Sequence, residues 1–449
     1  MSAADAVTDS LQSLRAQFAG VREGRPADYI PQLALADPDA FGLALVSMDG
    51  HRYSAGEAEV PFTLQSVSKP FIYALALSLL GLDEVSRWVG AEPSGEAFNA
   101  ISLEPGTGRP ANAMVNAGAI VTTALIPDAP GDDAFRRILH CLGRFAGREL
   151  DVDEEVFSSE SVTGDRNRAL AYLIRSTGTM PVDPVLAVDR YFRQCAIRVT
   201  ALDLATMAAT LAYGGVNPVT GEQVVSAEVA ARVLAVMATC GMYDGSGDWL
   251  LRVGLPAKSG VSGGLIAVGP ARFGVATYSP PLDSTGGSVR GHAALETMSR
   301  RYGLHLMLNP ALPGSTVTLV TTADDLPSAP SAGHERVLHE QVGVVVAQGS
   351  IDFTAAERVL YALDESGPDG GPVVLDLHDV TSVDSVALAM LLTGLARLVT
   401  DGRRAAVVDP NGLLGAMELV RERTGQDLPR HATRVEAVEG SARALAGEG

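Results

Sequence analysis

Strand-type segments lie on both sides of a long helix-rich stretch, and this arrangement constrains the fold more than any other feature of the sequence. Residues 41–56 have the pattern of two strands around an Asp-Gly turn. Strand patterns return at 264–268 and 274–278, and helical patterns occupy most of 66–238 between them. Strands at both ends of a helical insert predict one antiparallel sheet closed by the two ends of an α+β domain.

The pattern changes near the C-terminal third of the chain. Residues 309–334 contain several prolines among small polar residues, which predicts mainly a linker, although Val317 to Thr321 could form a short strand. Beyond it, strands alternate with helices at a spacing typical of a small α/β domain. Since 449 residues at about 150 per domain allow two or three domains, we predict two, 1–308 and 335–449.

The charge balance excludes some classes of protein. A net charge of −19 and a pI near 4.8 are opposite to the basic footprint of a nucleic-acid binder, and they disfavour an anionic membrane surface. No apolar run approaches the roughly 18 residues that span a bilayer. The N-terminal residues lack the basic and apolar regions of a signal peptide, so we expect a cytoplasmic protein. The three cysteines are far apart and outside any CxxC pair, which disfavours a disulfide framework or a zinc site.

Only two lysines, Lys69 and Lys258, occur among the 34 lysines and arginines of the chain. Lysine can lose its proton at working pH and arginine cannot, so retained lysines point to chemistry that needs an amine. Ser66 and Lys69 are three residues apart, which places both on one face at the start of a helix. A serine there can act as a nucleophile if a lysine of lowered pKa takes its proton. The alternative is an N-cap serine beside a solvated lysine.

The second lysine favours the catalytic interpretation. Lys258-Ser259-Gly260 precedes the returning strands. In penicillin-recognising serine enzymes an S-x-x-K helix is completed by a K-[ST]-G strand at the edge of the cleft. Here the only two lysines fall in these two motifs, in the same order.

Further segments occur in the order and at the spacing of one family of such serine enzymes. They are Ala27–Leu33, Leu64–Pro70, Met114–Ile120, Ser159–Ser161, Gly164–Asn167, Tyr191–Phe192, Cys240–Asp244, Gly254–Val261 and Ser279–Asp283. With these segments, residues from about 20 to 305 resemble the serine-dependent glutaminases, which have a β-lactamase/transpeptidase-like fold.

The resemblance implies a role for each matching residue. Ser66 would be the nucleophile, Lys69 its activating partner, and Tyr243 a second group in proton transfer. The backbone N–H groups of Ser66 and Val261 would form the oxyanion hole. Together with Ser66, Tyr243 and Val261, the residues that would line the glutamine site are Tyr29, Asn116, Glu160, Asn167 and Tyr191.

These roles agree with the chemistry of glutamine, whose free ammonium and carboxylate distinguish it from a peptide side chain. Glu160 can pair with the ammonium, and the asparagines and tyrosines can hydrogen-bond the carboxylate and the side-chain amide. The alternatives are a turn role for Asn167 and a core position for Tyr191. Lys258 would tune the proton network or brace the cleft, and we assign it no proton.

The reaction implied by the resemblance is hydrolysis of L-glutamine to L-glutamate and ammonia through an acyl-enzyme on Ser66. We expect no metal and no cofactor, because the eight histidines form no ligand cluster. Two other functions remain open. One is a glutamine-sensing signalling protein, and the other is a β-lactamase-like or peptidase-like serine acylase. Because related enzymes associate, we expect a homo-oligomer, either a dimer or a tetramer.

Three segments of the C-terminal domain form a recognisable pattern: Gly349–Phe353, Val374–Leu377 and Val383-Asp384-Ser385 at the start of a helix. By these segments, residues from about 335 to 440 resemble the STAS domains of anti-sigma-factor antagonists. The resemblance implies that Ser385 is a phosphorylation site, although Val386 and Ala387 depart from the usual Asp-Ser-Ser-Gly. The alternative is that Ser385 only caps the helix. The domain would regulate the enzyme, dock a protein partner or mediate oligomerisation.

Overall fold

The computed structural model describes residues 5–94, 101, 103–130, 133–307, 317–322, 342–368 and 370–445, with the backbone alone at 318–322. These residues form two compact units. The first consists of residues 11–300 and 304–307. The second contains 5–10, 301–303 and the described residues after 316.

The first unit is built on a five-stranded antiparallel sheet of order β2-β1-β7-β6-β5. Its strands are β1 (Gly42–Ser47), β2 (Arg52–Gly56), β5 (Ala257–Ser259), β6 (Gly264–Gly269) and β7 (Phe273–Tyr278). A separate antiparallel pair joins β3 (Phe62–Thr63) to β4 (Arg198–Val199). The prediction of one antiparallel sheet closed by both ends of the domain is confirmed, because β1 pairs directly with β7.

Helices cover both faces of this sheet, and two glycines allow their close approach. A Cβ on Gly274 in β7 would collide with the backbone of helix Ala201–Ala212, at Ala205 and Ala209. A Cβ on Gly291 would collide with Thr277 of β7. Since Gly274 and Thr277 point to opposite faces of the strand, the sheet has helices on both sides, and β1, β6 and β7 are buried throughout.

The helices of the chain account for most of the remaining described residues. The α-helices are Asp5–Phe18, Lys69–Leu80, Leu82–Trp88, Asn116–Ala124, Ala134–Ala146, Glu154–Thr163, Asp165–Ser176, Pro184–Cys195, Ala201–Ala212, Ala227–Cys240, Ser246–Arg252, Val289–Tyr302, Phe353–Glu365, Ser385–Thr400, Glu418–Thr424 and Arg434–Leu445. The described residues also form three 3-10 turns, Leu33–Leu35, Gln65–Ser68 and Tyr243–Gly245. Among the described residues, no helix is both long and apolar enough to cross a membrane.

The second unit is an α/β domain around a sheet of order β12-β11-β10-β9-β8. Its strands are β8 (Val317–Thr322), β9 (Gly343–Ile351), β10 (Val373–Val383), β11 (Ala405–Val408) and β12 (Arg430–His431). Neighbouring strands from β9 to β12 are parallel, whereas β8 pairs antiparallel with β9. The short strand foreseen inside the predicted linker 309–334 is therefore an edge strand of this sheet. The rest of that segment lies outside the described residues.

Candidate active site

The tight turn Gln65–Ser68 leads directly into helix Lys69–Leu80, and it positions the candidate nucleophile. Gln65 has a φ of 47°, in the left-handed region that L-residues other than glycine rarely occupy. Ser66 is the second residue of the turn and is buried except for a small fraction of its surface. Pro70 in the first turn of the following helix costs no hydrogen bond there. Ser66 and Lys69 thus lie at the start of a helix, as predicted.

Lys69 is completely buried, so the alternative of a solvated lysine is wrong. Its Nζ donates to Asn116 Oδ1 at 2.7 Å and to the Met114 carbonyl at 3.2 Å. Burial lowers the pKa of Lys69 to about 7, with opposing contributions from Cys195 and Glu160. An amine with this pKa exists in both protonation states near neutral pH, which suits proton transfer.

Tyr243 lies near both lysines of the chain. Its hydroxyl hydrogen-bonds with Ser66, and burial raises its pKa. Lys69 Nζ is 5.6 Å from the centre of the Tyr243 ring, and Lys258 Nζ is 3.9 Å from it. Lys258 is fully buried on the edge strand β5 and donates to the Ser259 carbonyl at 2.8 Å. Burial and the neighbouring Lys69 hold the pKa of Lys258 well below its usual value.

A cavity of about 320 Å³ opens beside Ser66, and its size suits a small metabolite. It is lined by Tyr29, Ile30, Gln65, Ser66, Asn116, Glu160, Thr163, Gly164, Arg166, Asn167 and Tyr191. Six of the predicted site residues therefore surround one cavity. Tyr243 and Val261 do not line it. Tyr243 hydrogen-bonds with Ser66, which does line the cavity. The buried Val261 belongs to the same apolar cluster as the lining residue Ile30.

Glu160 brings a carboxylate with unused hydrogen-bonding capacity to this cavity. The side chain is 6% exposed, and its Oε2 has no hydrogen-bond partner among the described residues. Burial raises the pKa of Glu160 to about 8, although Gln65 and Lys69 act in the opposite direction. A buried carboxylate oxygen without a partner is costly. A cationic ligand group in the cavity would satisfy it.

The two asparagines of the cavity are coupled to Lys69. Asn116 Oδ1 accepts from Lys69, and Asn116 Nδ2 donates to Asn167 Oδ1 at 3.1 Å. The Oδ1 atom of Asn167 is therefore engaged, which leaves its Nδ2 group as the donor for a ligand. Asn167 lies within helix Asp165–Ser176, so the alternative of a turn residue is wrong.

The two tyrosines of the cavity have different environments. Tyr29 is 51% exposed, whereas Tyr191 is buried in the main hydrophobic core and also lines the cavity. The hydroxyl of Tyr191 hydrogen-bonds with the Cys195 thiol one helical turn later, and burial raises the pKa of both groups. Tyr191 is therefore a core residue, as the alternative expected, and it also lines the cavity, as predicted.

Sequence reasoning missed several residues of the cavity, chiefly Gln65 and Arg166. Both lie inside segments that carry the family resemblance, next to Ser66 and Asn167, and that adjacency was the available signal. A second omission is a buried network of Ser68, Gln194 and Thr123 behind the Ser66 turn. Its members are distant in sequence, so no local pattern indicates it.

Ser385, the predicted phosphorylation site, is the exposed first residue of helix Ser385–Thr400. The N-cap of that helix is Asp384, whose carboxylate accepts from the backbone N–H groups of Val386 and Ala387. The alternative in which Ser385 caps the helix is therefore wrong.

Comparison with known proteins identifies the family of this chain. The glutaminase family model matches residues 24–307, and the STAS domain model matches residues 334–421. A glutaminase of Corynebacterium glutamicum is 44% identical over 393 residues, covering 87% of this chain and 91% of the relative. Glutaminase 1 of Bradyrhizobium diazoefficiens is 48% identical over 374 residues, covering 82% of this chain. This chain spans only 60% of that Bradyrhizobium protein.

Solved structures give the same result. The crystal structure of Mglu has a TM-score of 0.67 at 42% identity and covers 91% of this chain and 99% of its own. A probable glutaminase, YbaS, has a TM-score of 0.66 at 41% identity and covers 68% of this chain and 99% of its own. The first unit thus has the β-lactamase-like fold of these neighbours, with a serine and a buried lysine at its site. The chain belongs to the glutaminase family and carries a C-terminal STAS domain.

Proposed function

We propose that this protein hydrolyses L-glutamine to L-glutamate and ammonia through an acyl-enzyme on Ser66. The observation that carries the proposal is the fully buried Lys69, whose lowered pKa of about 7 makes it a proton acceptor near Ser66. The same cavity holds the buried carboxylate of Glu160, which distinguishes a free amino acid from a peptide side chain.

Acylation begins with proton transfer from Ser66 to neutral Lys69. In that form the two N–H bonds of Lys69 point to the Met114 carbonyl and Asn116 Oδ1, and the lone pair is left to accept a proton. Ser66 Oγ then bonds to the amide carbon of glutamine, and the carbonyl electron pair moves to oxygen. When the C–N bond breaks, the proton held on Lys69 passes through the Tyr243 hydroxyl to the departing nitrogen, which leaves as ammonia.

Deacylation repeats these steps with water as the nucleophile. Water loses a proton to Lys69, attacks the glutamyl ester and releases L-glutamate as Ser66 recovers its proton. In both steps the backbone N–H groups of Ser66 and Val261 would stabilise the oxyanion, and the loss of one such donor typically costs 10²–10³-fold in kcat.

Substrate binding in this proposal uses the groups of the cavity. The Oε2 atom of Glu160 accepts from the α-ammonium of glutamine, and Asn167 Nδ2 donates to a substrate oxygen. Asn116 holds Asn167 in that orientation. Tyr29 and Tyr191 add hydroxyl groups for the carboxylate and the side-chain amide.

The test is ammonia release from L-glutamine by the purified full chain. We expect release that is lost in Ser66→Ala and kept in Ser78→Ala. Ser78 lies in the helix that follows the Ser66 turn, and among the described residues its hydroxyl bonds only to the Ala74 carbonyl. A penicillin assayed in parallel tests the β-lactamase-like alternative. Absence of ammonia release from wild type, with glutamine binding intact, would favour the glutamine-sensing alternative.

We further propose a domain of residues 1–308, a connecting segment 309–334 that includes β8, and a domain of 335–449 that regulates the enzyme or docks a partner. Phosphorylation of Ser385 would place charge at an exposed helix N-terminus, where the helix dipole tolerates it. Comparing the glutaminase activity of the full chain with that of residues 1–310 tests regulation in cis. Equal activity and equal effector response would contradict it.

Location and assembly are also proposals. We infer a cytoplasmic homo-oligomer, a dimer or a tetramer, that binds L-glutamine without a metal or a cofactor. Sedimentation velocity of the full chain tests the assembly, and a monomer at micromolar concentration would contradict it. Activity that survives dialysis against a chelator tests the independence from metal.

A further inference from the structure

A chain of buried hydrogen bonds runs from the protein interior to the turn that carries Ser66. The Thr123 hydroxyl is 2.8 Å from Gln194 Oε1, and its hydrogen is shared with the Ala119 carbonyl at the same distance. Gln194 Nε2 donates to Ser68 Oγ at 2.8 Å, and Ser68 Oγ donates to the Gln65 carbonyl at 2.8 Å. We call Thr123, Gln194 and Ser68 the Ser68 relay.

The relay is fully buried and has a defined polarity. Each of its three side chains has zero exposed surface. The amide nitrogen of Gln194 can only donate, so Ser68 Oγ accepts from it and keeps its own hydrogen for the Gln65 carbonyl. In this dry environment a lost partner leaves a polar group unsatisfied, which makes the arrangement hard to exchange for another.

The relay ends on the peptide group that also contains the backbone N–H of Ser66. A peptide group is planar and trans, so its carbonyl oxygen and its N–H point in opposite directions. Holding the Gln65 carbonyl toward Ser68 therefore fixes the direction of the Ser66 N–H. This turn needs support, because the left-handed φ of 47° at Gln65 is unfavourable for a residue with a Cβ.

We propose that Thr123, Gln194 and Ser68 are positioning residues that aim the Ser66 N–H at the oxyanion. The inference rests on the proposed function, in which this N–H belongs to the oxyanion hole. Acylation and deacylation use the same donor, so a misdirected N–H slows both steps together. The relay should therefore act on kcat and leave KM for L-glutamine nearly constant.

The experiment measures steady-state ammonia release by the full-length Ser68→Ala and Gln194→Met variants, together with L-glutamate binding by calorimetry and thermal melting. We expect kcat to fall about 10–100-fold, less than the loss of a whole oxyanion donor. KM and the Kd for L-glutamate should stay within about threefold of wild type. Thr123→Val, at the far end of the relay, should lower kcat less, and Thr123→Ser should recover most of the loss because it restores the hydroxyl.

The matched control is Thr122→Val. Thr122 is the neighbouring buried threonine, and its hydroxyl bonds only to the Gly118 and Ala119 carbonyls of its own helix. Its kcat should stay at the wild-type value. A kcat within threefold of wild type in Ser68→Ala and Gln194→Met would overturn the inference while the proposed function stands.

Two further outcomes are decisive. If Thr122→Val loses kcat in proportion to its melting temperature, just as the relay variants do, then the loss of kcat follows from reduced stability alone. In that case the Ser68 relay has only a structural role and the inference is wrong. If Ser68→Ala does not fold, the Thr123→Val and Thr123→Ser pair decides by the same criterion. Failure of wild type to release ammonia would overturn the proposed function and the inference with it.

Discussion

Raising the pH from 6 to 8 should increase kcat/KM for L-glutamine by several hundredfold, because two buried groups must lose a proton. Lys69, with a pKa of about 7, must be neutral to accept the Ser66 proton. Glu160, with a pKa of about 8, must be ionised to bind the substrate ammonium. Both changes act in the same direction, so the profile rises with pH and has a limiting slope near two on its acid side.

The magnitude follows from the two fractions. At pH 6 roughly one Lys69 in ten is neutral and one Glu160 in a hundred is ionised, whereas at pH 8 the fractions are about nine tenths and one half. The product of the two fractions is the share of enzyme in which Lys69 is neutral and Glu160 is ionised. This share is about 500-fold larger at pH 8 than at pH 6. Since Lys69 and Glu160 influence each other's charge, the two apparent pKa values belong to the pair.

The perturbation that separates the two groups is Glu160→Gln. It removes one ionisation, so the rise from pH 6 to 8 should shrink to about tenfold and the limiting slope should fall to one. Loss of a hydrogen bond to a charged group should also raise KM about 10–100-fold at pH 8, equivalent to roughly 1.5–3 kcal/mol. Glu155→Gln, an exposed glutamate near the start of the same helix, is the control.

The assay is initial-rate ammonia release across this pH range at constant ionic strength, with circular dichroism to verify that the protein stays folded. A flat wild-type profile would refute the reasoning for both groups. A slope that remains near two in Glu160→Gln would refute the assignment of the second ionisation to that residue.

Three further predictions concern other charged residues. Burial lowers the pKa of Lys69 in the folded protein below its unfolded value. Between pH 7 and 10 the unfolded chain therefore binds more protons at this residue than the folded protein does. The free energy of unfolding of wild type, measured by urea denaturation, should rise over this range relative to that of Lys69→Met. Arg290 is buried and donates to Ser279 Oγ and to backbone carbonyls including that of Ala40. Arg290→Met leaves these buried oxygen atoms without their donor, so it should destabilise the fold by about 1–3 kcal/mol in the same assay. Arg166 lines the cavity with a guanidinium group that can attract the carboxylate of glutamine. Arg166→Gln should therefore raise KM about threefold to fivefold at constant kcat, as an exposed ion pair is worth up to about 1 kcal/mol; an unchanged KM would contradict this.

The sheet of the first unit could be predicted because short apolar runs mark β1, β6 and β7, and alternation marks β2, on both sides of the helical insert. The edge strand β5 has only three residues, Ala257–Ser259, which is too short for its pattern to be recognised. The strand β8 was foreseen as a short strand of the linker, but its place in the C-terminal sheet was not, because its pairing with β9 joins segments separated by 323–341. Strands of this kind depend on tertiary pairing more than on local propensity.

The candidate site was predictable where its residues share a motif and unpredictable where distant segments meet. Ser66 and Lys69 are one turn apart, so their proximity follows from helical geometry. The bond between Lys69 and Asn116 spans 47 positions, and the bond between Ser68 and Gln194 spans 126. No periodicity encodes such contacts. The family resemblance supplied the first of them indirectly, and the second came only from the three-dimensional structure.

The presence of lysine at positions 69 and 258 has a physical explanation in the site. Lys69 and Lys258 are both fully buried, both have a lowered pKa, and both lie near the ring of Tyr243. Arginine could not replace either without burying a permanent charge. A lysine at position 258, whose pKa burial lowers, can lose its proton, whereas an arginine there would keep a fixed positive charge beside Lys69. Both lysines near the Tyr243 ring can therefore exchange a proton more readily than an exposed lysine, and an arginine at either position could not.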